Sequence, residues 1–500
     1  MCFEWRWVVS KVELANYMSD DVVETVKGKI RELSADAQNL LLVMAYIPNS
    51  LGVSLLKVLV NHGESSFDEH TISNLLKEMS DECMLIFSTE SKSYIFAHDR
   101  IRQASRELAE EKEQDEMLLH ISQVMLKFAD EGPGMEWCLY VAVDLRNSLP
   151  SKNTNSTDLI KLNMRCASVA KSKGSVWKEN ELLKKALDCL DSSGETWRDY
   201  GISLKLYNAV IVSDFNLGMY DLLLNPYLDS AVSRIPLFLI PQGSYDPAQA
   251  AIDRVLKNGK SLDDKLQAYL HQMLCKANQA SNYQKGAEEG CKLLNLYGFA
   301  IPSTISKLYL VKEEIKLKLA LKNRPYSCLV KLPLKEDPIF HLFMEVQKFA
   351  LWTSNAKLLK IVSWKAIAHA CKRGMSKYLP AVVVGLAIST SSKGKVQTSV
   401  TLGQVALALS EKTFDNEIRA STSVFAYGLV ISQLQSFRSC VEPLLQCHKA
   451  LKLMGAAPMA TIGSMMSYFQ CYFAAGLELG EVTNMGKSSH FNLKLPSHSS

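Results

Sequence analysis

The residues best placed to do chemistry are His98, Asp99 and Arg100. They fall where a β-prone run, Ser93–Phe96, gives way to a helical one. An imidazole at that junction has two uses. It can point away from its own domain and donate a ring N–H to a phosphate oxygen held by a neighbouring one. Alternatively, the neutral ring packs beneath the strand and does no chemistry. Asp99 stands where the helix needs an N-cap, a role in which its carboxylate accepts a backbone N–H of the first turn.

No catalytic constellation accompanies these three residues. The ten histidines are dispersed, with no H-E-x-x-H spacing, and there is no G-x-S-x-G elbow. Neither G-x-x-x-x-G-K-[ST] nor G-x-G-x-x-G occurs, so no phosphate-cradling loop is expected. Glu110-Glu111 and Glu288-Glu289 are adjacent on helices and point in different directions, which rules them out as acid/base pairs. Twelve cysteines are scattered without a C-x-x-C pair; Cys440 and Cys447 share a helix face rather than surround a zinc ion. They read as thiols in a reducing compartment, and the cytoplasm follows as the expected location. The chain is therefore expected to be no enzyme and to hold no metal or cofactor of its own.

The elements that must position His98 precede it. Asp20-Asp21 open a helix running to Ile30, and Ser34 caps a second whose apolar face is Leu40, Leu41, Val43 and Met44. Val53–Val60 and Phe67–Met79 read as two more helices. Met84–Phe87 and Ser93–Phe96 then form a hairpin around a polar turn. Helices followed by a hairpin is winged-helix order. Helices from about Asp99 to Leu108 and from about Glu113 to Phe128 come next.

Beyond residue 160 the pattern is helical almost throughout. Lys265–Gly298, Phe340–Gly374 and Ile418–Gly455 each read as helix, turn, helix and a terminal glycine. At about 34 to 38 residues each, they match tetratricopeptide-like repeats, which bury their apolar faces by stacking into a superhelix. The expected fold is thus mainly α: a winged-helix-like domain with one β-hairpin, then a tetratricopeptide-like α-α superhelix. The expected divisions are 1–130, a linker with the first helices at 131–160, repeats over 161–484 and a disordered tail at 485–500.

Composition narrows the partners. Lys and Arg number 56 against 52 Asp and Glu, a net +4 that gives no strong field for nucleic acid or an anionic membrane. The helix a winged fold would lay on DNA carries five acids between Asp68 and Glu82 and one lysine, Lys77, which disfavours DNA. The start, Met1–Ser10, contains an acid and no long apolar core, so it is no signal peptide. Apolar runs such as Ala381–Ile388 are far short of the roughly 20 residues that span a bilayer. A protein partner in the superhelical groove is expected, with no nucleic acid and no membrane insertion.

A resemblance adds to this. Trp5-Arg-Trp7, Val22-Val-Glu24, Lys29-Ile30, Leu33, Gln38–Ala45, Tyr94, Phe96, His98-Asp-Arg100, Gln103-Ala104, His120-Ile121 and Ala277–Pro302 form a recurring pattern. Together they resemble the region after the ATPase core in large microbial signal-transduction ATPases of the AAA/STAND type. Those proteins often join that core to a serine/threonine kinase, helical repeats and a sensor histidine kinase. The resemblance implies that His98-Asp99 is a pair sensing bound ADP from the winged helix. It also implies that ATP or ADP would act only through an ATPase domain that this chain lacks. The expected function is the non-catalytic regulatory and protein-interaction portion of such a signalling protein. The alternative is a free-standing helical-repeat scaffold with no link to nucleotide.

Overall fold

The computed structural model describes residues 23–47, 53–60, 67–89, 93–108, 111–131, 135–149, 156–194, 196–223, 245–280, 282–391, 394–454 and 458–477. Trp5–Trp7 and the tail at 485–500 lie outside them. Two compact units result. One holds the chain up to Cys166 with Asp188–Gly194; the other holds Ala167–Leu187 and the chain from Glu195 onward.

In the first unit, helix α1 covers 23–32. Helix α2 (Ala35–Ala45) starts on Ser34, whose hydroxyl accepts the Ala37 N–H at 3.2 Å. Helix α3 is Val53–Val60. Helix α4 (Glu69–Asp81) starts on Asp68, whose carboxylate accepts the Thr71 N–H at 2.7 Å. Each cap contributes about 1 kcal/mol. Cys83 then takes a left-handed conformation, φ 58°, and the Met84 N–H reaches back to the Met79 carbonyl at 2.9 Å. That stop turns the chain directly into strand β1 (Leu85–Ser88), which pairs antiparallel with β2 (Ser93–Phe96), Leu85 opposite Phe96 and Ser88 opposite Ser93. Among the described residues this is the one sheet.

Helices α5 (Asp99–Glu107), α6 (Glu111–Asp130) and α7 (Glu136–Ser148) follow. Leu40, Leu41, Ile72, Leu76, Ala104 and Ile121 make the core with Cys138 and Ala142. The last two lie on α7, so the first helix of the expected linker segment packs into this core.

From Ser156 on, the described residues are helical almost throughout. Helices α8 (Ser156–Ser172) and α9 (Val176–Ser192) come first, and helical hairpins then pair α10 (Tyr200–Leu223) with α11 (Asp246–Asn258) and α12 (Leu262–Gln279) with α13 (Tyr283–Leu296). A single helix, α14 (Lys307–Ala320), precedes α15 (Ile339–Trp352) with α16 (Ala356–Arg373) and α17 (Leu379–Ser391) with α18 (Val396–Ser410). Helices α19 (Asn416–Phe425), α20 (Phe437–Leu453) and α21 (Pro458–Ala474) complete the order.

One turn recurs between consecutive helices. Ser175, Asn282 and Asn355 each donate a backbone N–H to an alanine carbonyl five residues earlier, Ala170, Ala277 and Ala350, at 2.9, 3.0 and 2.8 Å. All three alanines are buried. The Asn282 and Asn355 side chains then cap α13 and α16. Small residues at these ends let the two helices of a hairpin close on one another. Successive hairpins stack second helix on first: α13 on α15, α16 on α17, α18 on α19. At the α13 crossing, a Cβ on Gly290 would lie 2.3 Å from Val346 Cγ2 of α15, so only glycine fits.

The first expected repeat ends as its sequence implies. Gly298 has φ +85°, its N–H bonds the Asn295 carbonyl, and the Phe299 N–H bonds that of Leu294 at 2.8 Å. The second ends at Gly374, φ 110°. The third departs from a plain helix. After Phe425 the hydrogen bonding widens, with the Ile431 N–H donating to the Ala426 carbonyl, and then tightens over Ile431–Gln433 before the Leu434–Phe437 turn. The widened segment lies against α21, where a Cβ on Gly428 would sit 2.9 Å from Ser467. Gly455 lies outside the described residues.

No helix among the described residues is long and apolar enough to cross a membrane.

Candidate functional site

The hairpin holds the His98 segment by one bond past its ladder: the Ala97 N–H donates to the Met84 carbonyl at 3.0 Å. His98 therefore leaves the strand still extended, at φ −154° and ψ 147°. Its Nδ1 accepts the Arg100 N–H at 3.1 Å. His98, not Asp99, is the N-cap of α5. Asp99 is intrinsically the better cap, but strand pairing keeps the chain extended one residue beyond Ala97 and so fixes where the helix can begin. Asp99 becomes the first helical residue, exposed, where its charge suits the positive end of the helix dipole.

This arrangement has a chemical consequence. A neutral imidazole that accepts at Nδ1 carries its proton on Nε2. His98 is exposed, so that N–H is a donor at the surface. Arg100 is otherwise engaged. Its Nη1 donates to Gln103 Oε1 at 3.0 Å, and Gln103 Nε2 donates to Glu107 Oε1 at 2.9 Å. Glu107 pairs with Lys27 of α1 at 2.8 Å, and Lys27 with Glu24 at 2.8 Å. Lys27 and Gln103 together hold the Glu107 carboxyl below its ordinary range. The ladder fastens α5 to α1 and leaves His98 at its end.

Two further arginines of α5 were not singled out by sequence. Arg106 donates through Nε, at 2.8 Å, and Nη2 to the Ala45 carbonyl, satisfying a carbonyl that the end of α2 leaves without a helical partner. Its guanidinium lies 5.3 Å from the Tyr46 ring centroid. Arg102 lies 5.2 Å from the Phe96 ring centroid, and its buried Nε has no hydrogen-bond partner among the described residues. The sequence shows α5 rich in arginine but not which long-range partners these groups find.

The cap assignment makes a prediction. His98→Ala should cost about 0.5–1 kcal/mol, His98→Asn nearly nothing, and Asp99→Ala only a few tenths, because asparagine caps well and alanine does not. Thermal melts of the three variants check this; a larger loss for Asp99→Ala than for His98→Ala would return the cap to Asp99.

The second unit carries a file of rings across its hairpins. Tyr245 stacks on Phe215 at 5.4 Å, Phe215 meets His271 edge-on at 5.3 Å, and His341 stacks on Tyr378 at 4.6 Å and 4°. His271 and His341 lie 6.4 Å apart. Buried Glu345 sits beside this file, 2.6 Å from Lys348 and 3.6 Å from His341. Burial pushes its carboxyl up, but the Lys348 charge and His341 outweigh burial and hold it at about 2. Lys377 pairs with Asp415 at 2.8 Å at the file's far end. These groups position α10, α12, α15 and α17 against one another; each has its partner.

Thiols and metals offer nothing further. Among the described residues no group of three or more His, Cys, Asp or Glu could hold a metal ion. Burial pushes the Cys275 thiol up to about 12 and those of Cys291 and Cys471 to about 11, which leaves them unreactive.

No family model matches the sequence, and no curated protein matches it. Among solved structures the chain is similar to a signal transduction ATPase with numerous domains from Pyrococcus horikoshii that carries a tetratricopeptide repeat sensor. The two share 13% identity at a TM-score of 0.30, over 97% of this chain and 65% of that one. The chain thus spans about two thirds of that protein's length. So loose a likeness bears on neither its architecture nor its role.

Proposed function

We propose that this chain is the non-catalytic regulatory and protein-interaction portion of a nucleotide-dependent signal-transduction protein. One observation carries the reading: His98 is exposed, and its Nδ1 is committed to the cap, so the ring keeps Nε2–H as a donor at the surface. On this reading the first unit is a winged-helix-like domain, and an ATPase domain, on the same or a second polypeptide, presents the phosphates of ADP to His98. Asp99 starts the helix that holds the ring, and Arg100 anchors it through Gln103. The hairpins of the second unit act as tetratricopeptide-like repeats that take a protein partner, in the cytoplasm.

The runner-up is a free-standing repeat scaffold. What favours it is that Arg100 and the His98 Nδ1 are both satisfied within α5 itself.

The purified chain should release no phosphate from ATP, since no phosphate loop or magnesium ligand is legible in it. The full chain, tagged and recovered from its own cells, should carry a P-loop polypeptide or segment together with ADP. Turnover by the chain alone that vanishes on a defined point substitution would overturn the non-catalytic reading. Recovery with neither P-loop nor nucleotide would leave the scaffold.

A further inference from the structure

Helix α14 is apolar on two faces, and only one of them is covered. Glu313 and Leu317 are buried, and Glu313 is held by Lys316 at 2.8 Å and by Lys365 of α16 at 3.0 Å. Facing away from these are Leu308, Val311, Ile315 and Leu319, which are 81%, 53%, 52% and 67% exposed. Spacings of three, four and four place them on one stripe, about 16 Å long at 1.5 Å per residue. Apolar residues exposed singly need no explanation; four in helical register do. Lysines border the stripe on both sides, Lys307 and Lys318 on one and Lys312 and Lys316 on the other.

We propose that this stripe docks an amphipathic helix of a partner protein whose own apolar stripe is bordered by aspartate or glutamate. The shape argues for a helix: a ridge one helix face wide is what helix-on-helix packing buries. The charges choose its chemistry, because a partner bordered by acids meets lysine on both flanks. A second copy of this chain would set lysine against lysine on either flank. An anionic bilayer is the weaker occupant. Lys316 and Lys318 are already paired with Glu313 and Glu314 at 2.8 and 3.1 Å, so the face falls short of the roughly four to eight free cations of a lipid-binding cluster. This surface does not depend on the nucleotide reading.

The test uses the full chain and two fluorescein-labelled synthetic helical peptides. Both carry leucine at the same three-four-four spacing; one is flanked by glutamate and its twin by lysine. In fluorescence polarisation the acidic peptide should bind. Its affinity should fall about tenfold or more for Ile315→Asp, and the twin should bind correspondingly weakly. Because Ile315 is exposed, the melting temperature of the variant should stay within a degree or two of wild type; Leu308→Ser repeats the test on a second stripe position. Equal binding of both peptides, or of wild type and both variants, overturns the proposal. So does sedimentation of wild type but not Ile315→Asp with phosphatidylserine vesicles, which would assign the stripe to a membrane. A dimer in analytical ultracentrifugation that Ile315→Asp dissociates would assign it to a second copy and equally overturn it.

Discussion

Truncating Phe343 to alanine is expected to lower the unfolding free energy of the second unit by about 3–5 kcal/mol. Phe343 is fully buried on α15, among the largest such side chains in the molecule. Its ring meets Phe299 edge-on at 4.7 Å and Phe340 at 6.1 Å, and both of these pack on His369. His369 in turn bonds Asp337 through Nε2 at 2.8 Å. The void left by alanine therefore opens within this ring cluster, against Phe299 and Phe340. Neighbouring hairpins cannot refill it without moving α13, which Gly290 already brings as close to α15 as backbone packing allows. Urea unfolding followed by circular dichroism measures the change. A loss below about 1 kcal/mol would mean that α15 does not sit at the centre of a cooperative stack.

Acid should weaken the same unit in two adjoining steps. Burial, and then the neighbouring His341, drop the His271 pKa from 6.5 to about 4. The folded state thus keeps His271 neutral down to about pH 4, while the unfolded chain takes up a proton near pH 6.5. Between those values the unfolded state binds more protons, so stability rises with pH and is lost as pH falls. The loss over this window is on the order of 3 kcal/mol, at about 1.4 kcal/mol per pKa unit. Glu345 acts below it. Its folded pKa of about 2 lies under the ordinary 4.5, so its contribution is present above about pH 4.5 and is lost as pH falls towards 2. His271→Gln should flatten the profile between pH 6.5 and 4 and leave the lower step in place. An unchanged slope in that variant would show that other groups titrate there.

These groups mark where the sequence is readable and where it is not. Gly298, Asn282 and the β-hairpin are local features: a left-handed stop, a cap and two β-prone runs each declare themselves within a few residues. The turn that closes α12 on α13 is visible in Ala280–Gln284 for the same reason. The His98 cap is one residue away from the local answer. Propensity favours Asp99, and a bond between Ala97 and Met84, across the hairpin, decides otherwise. The ring file from Phe215 through His271 and His341 to Tyr378 draws on three helices and the turn before α17. No single periodic segment announces it. Helix α14 is hidden for the opposite reason. Leucines on its covered and uncovered faces together erase the periodicity by which an amphipathic helix is recognised, so its exposed stripe emerges only once Leu317 and Glu313 are seen to be the buried side.

The most direct test of the regulatory reading is ADP binding by the native assembly recovered through a tag on this chain, comparing wild type with His98→Asn and His98→Ala. Asparagine preserves the cap but lacks the Nε2–H. If His98 senses nucleotide, both variants should bind ADP about tenfold or more weakly, while His98→Asn melts like wild type. Wild-type affinity in both variants would contradict the account and leave His98 as the cap of α5 alone.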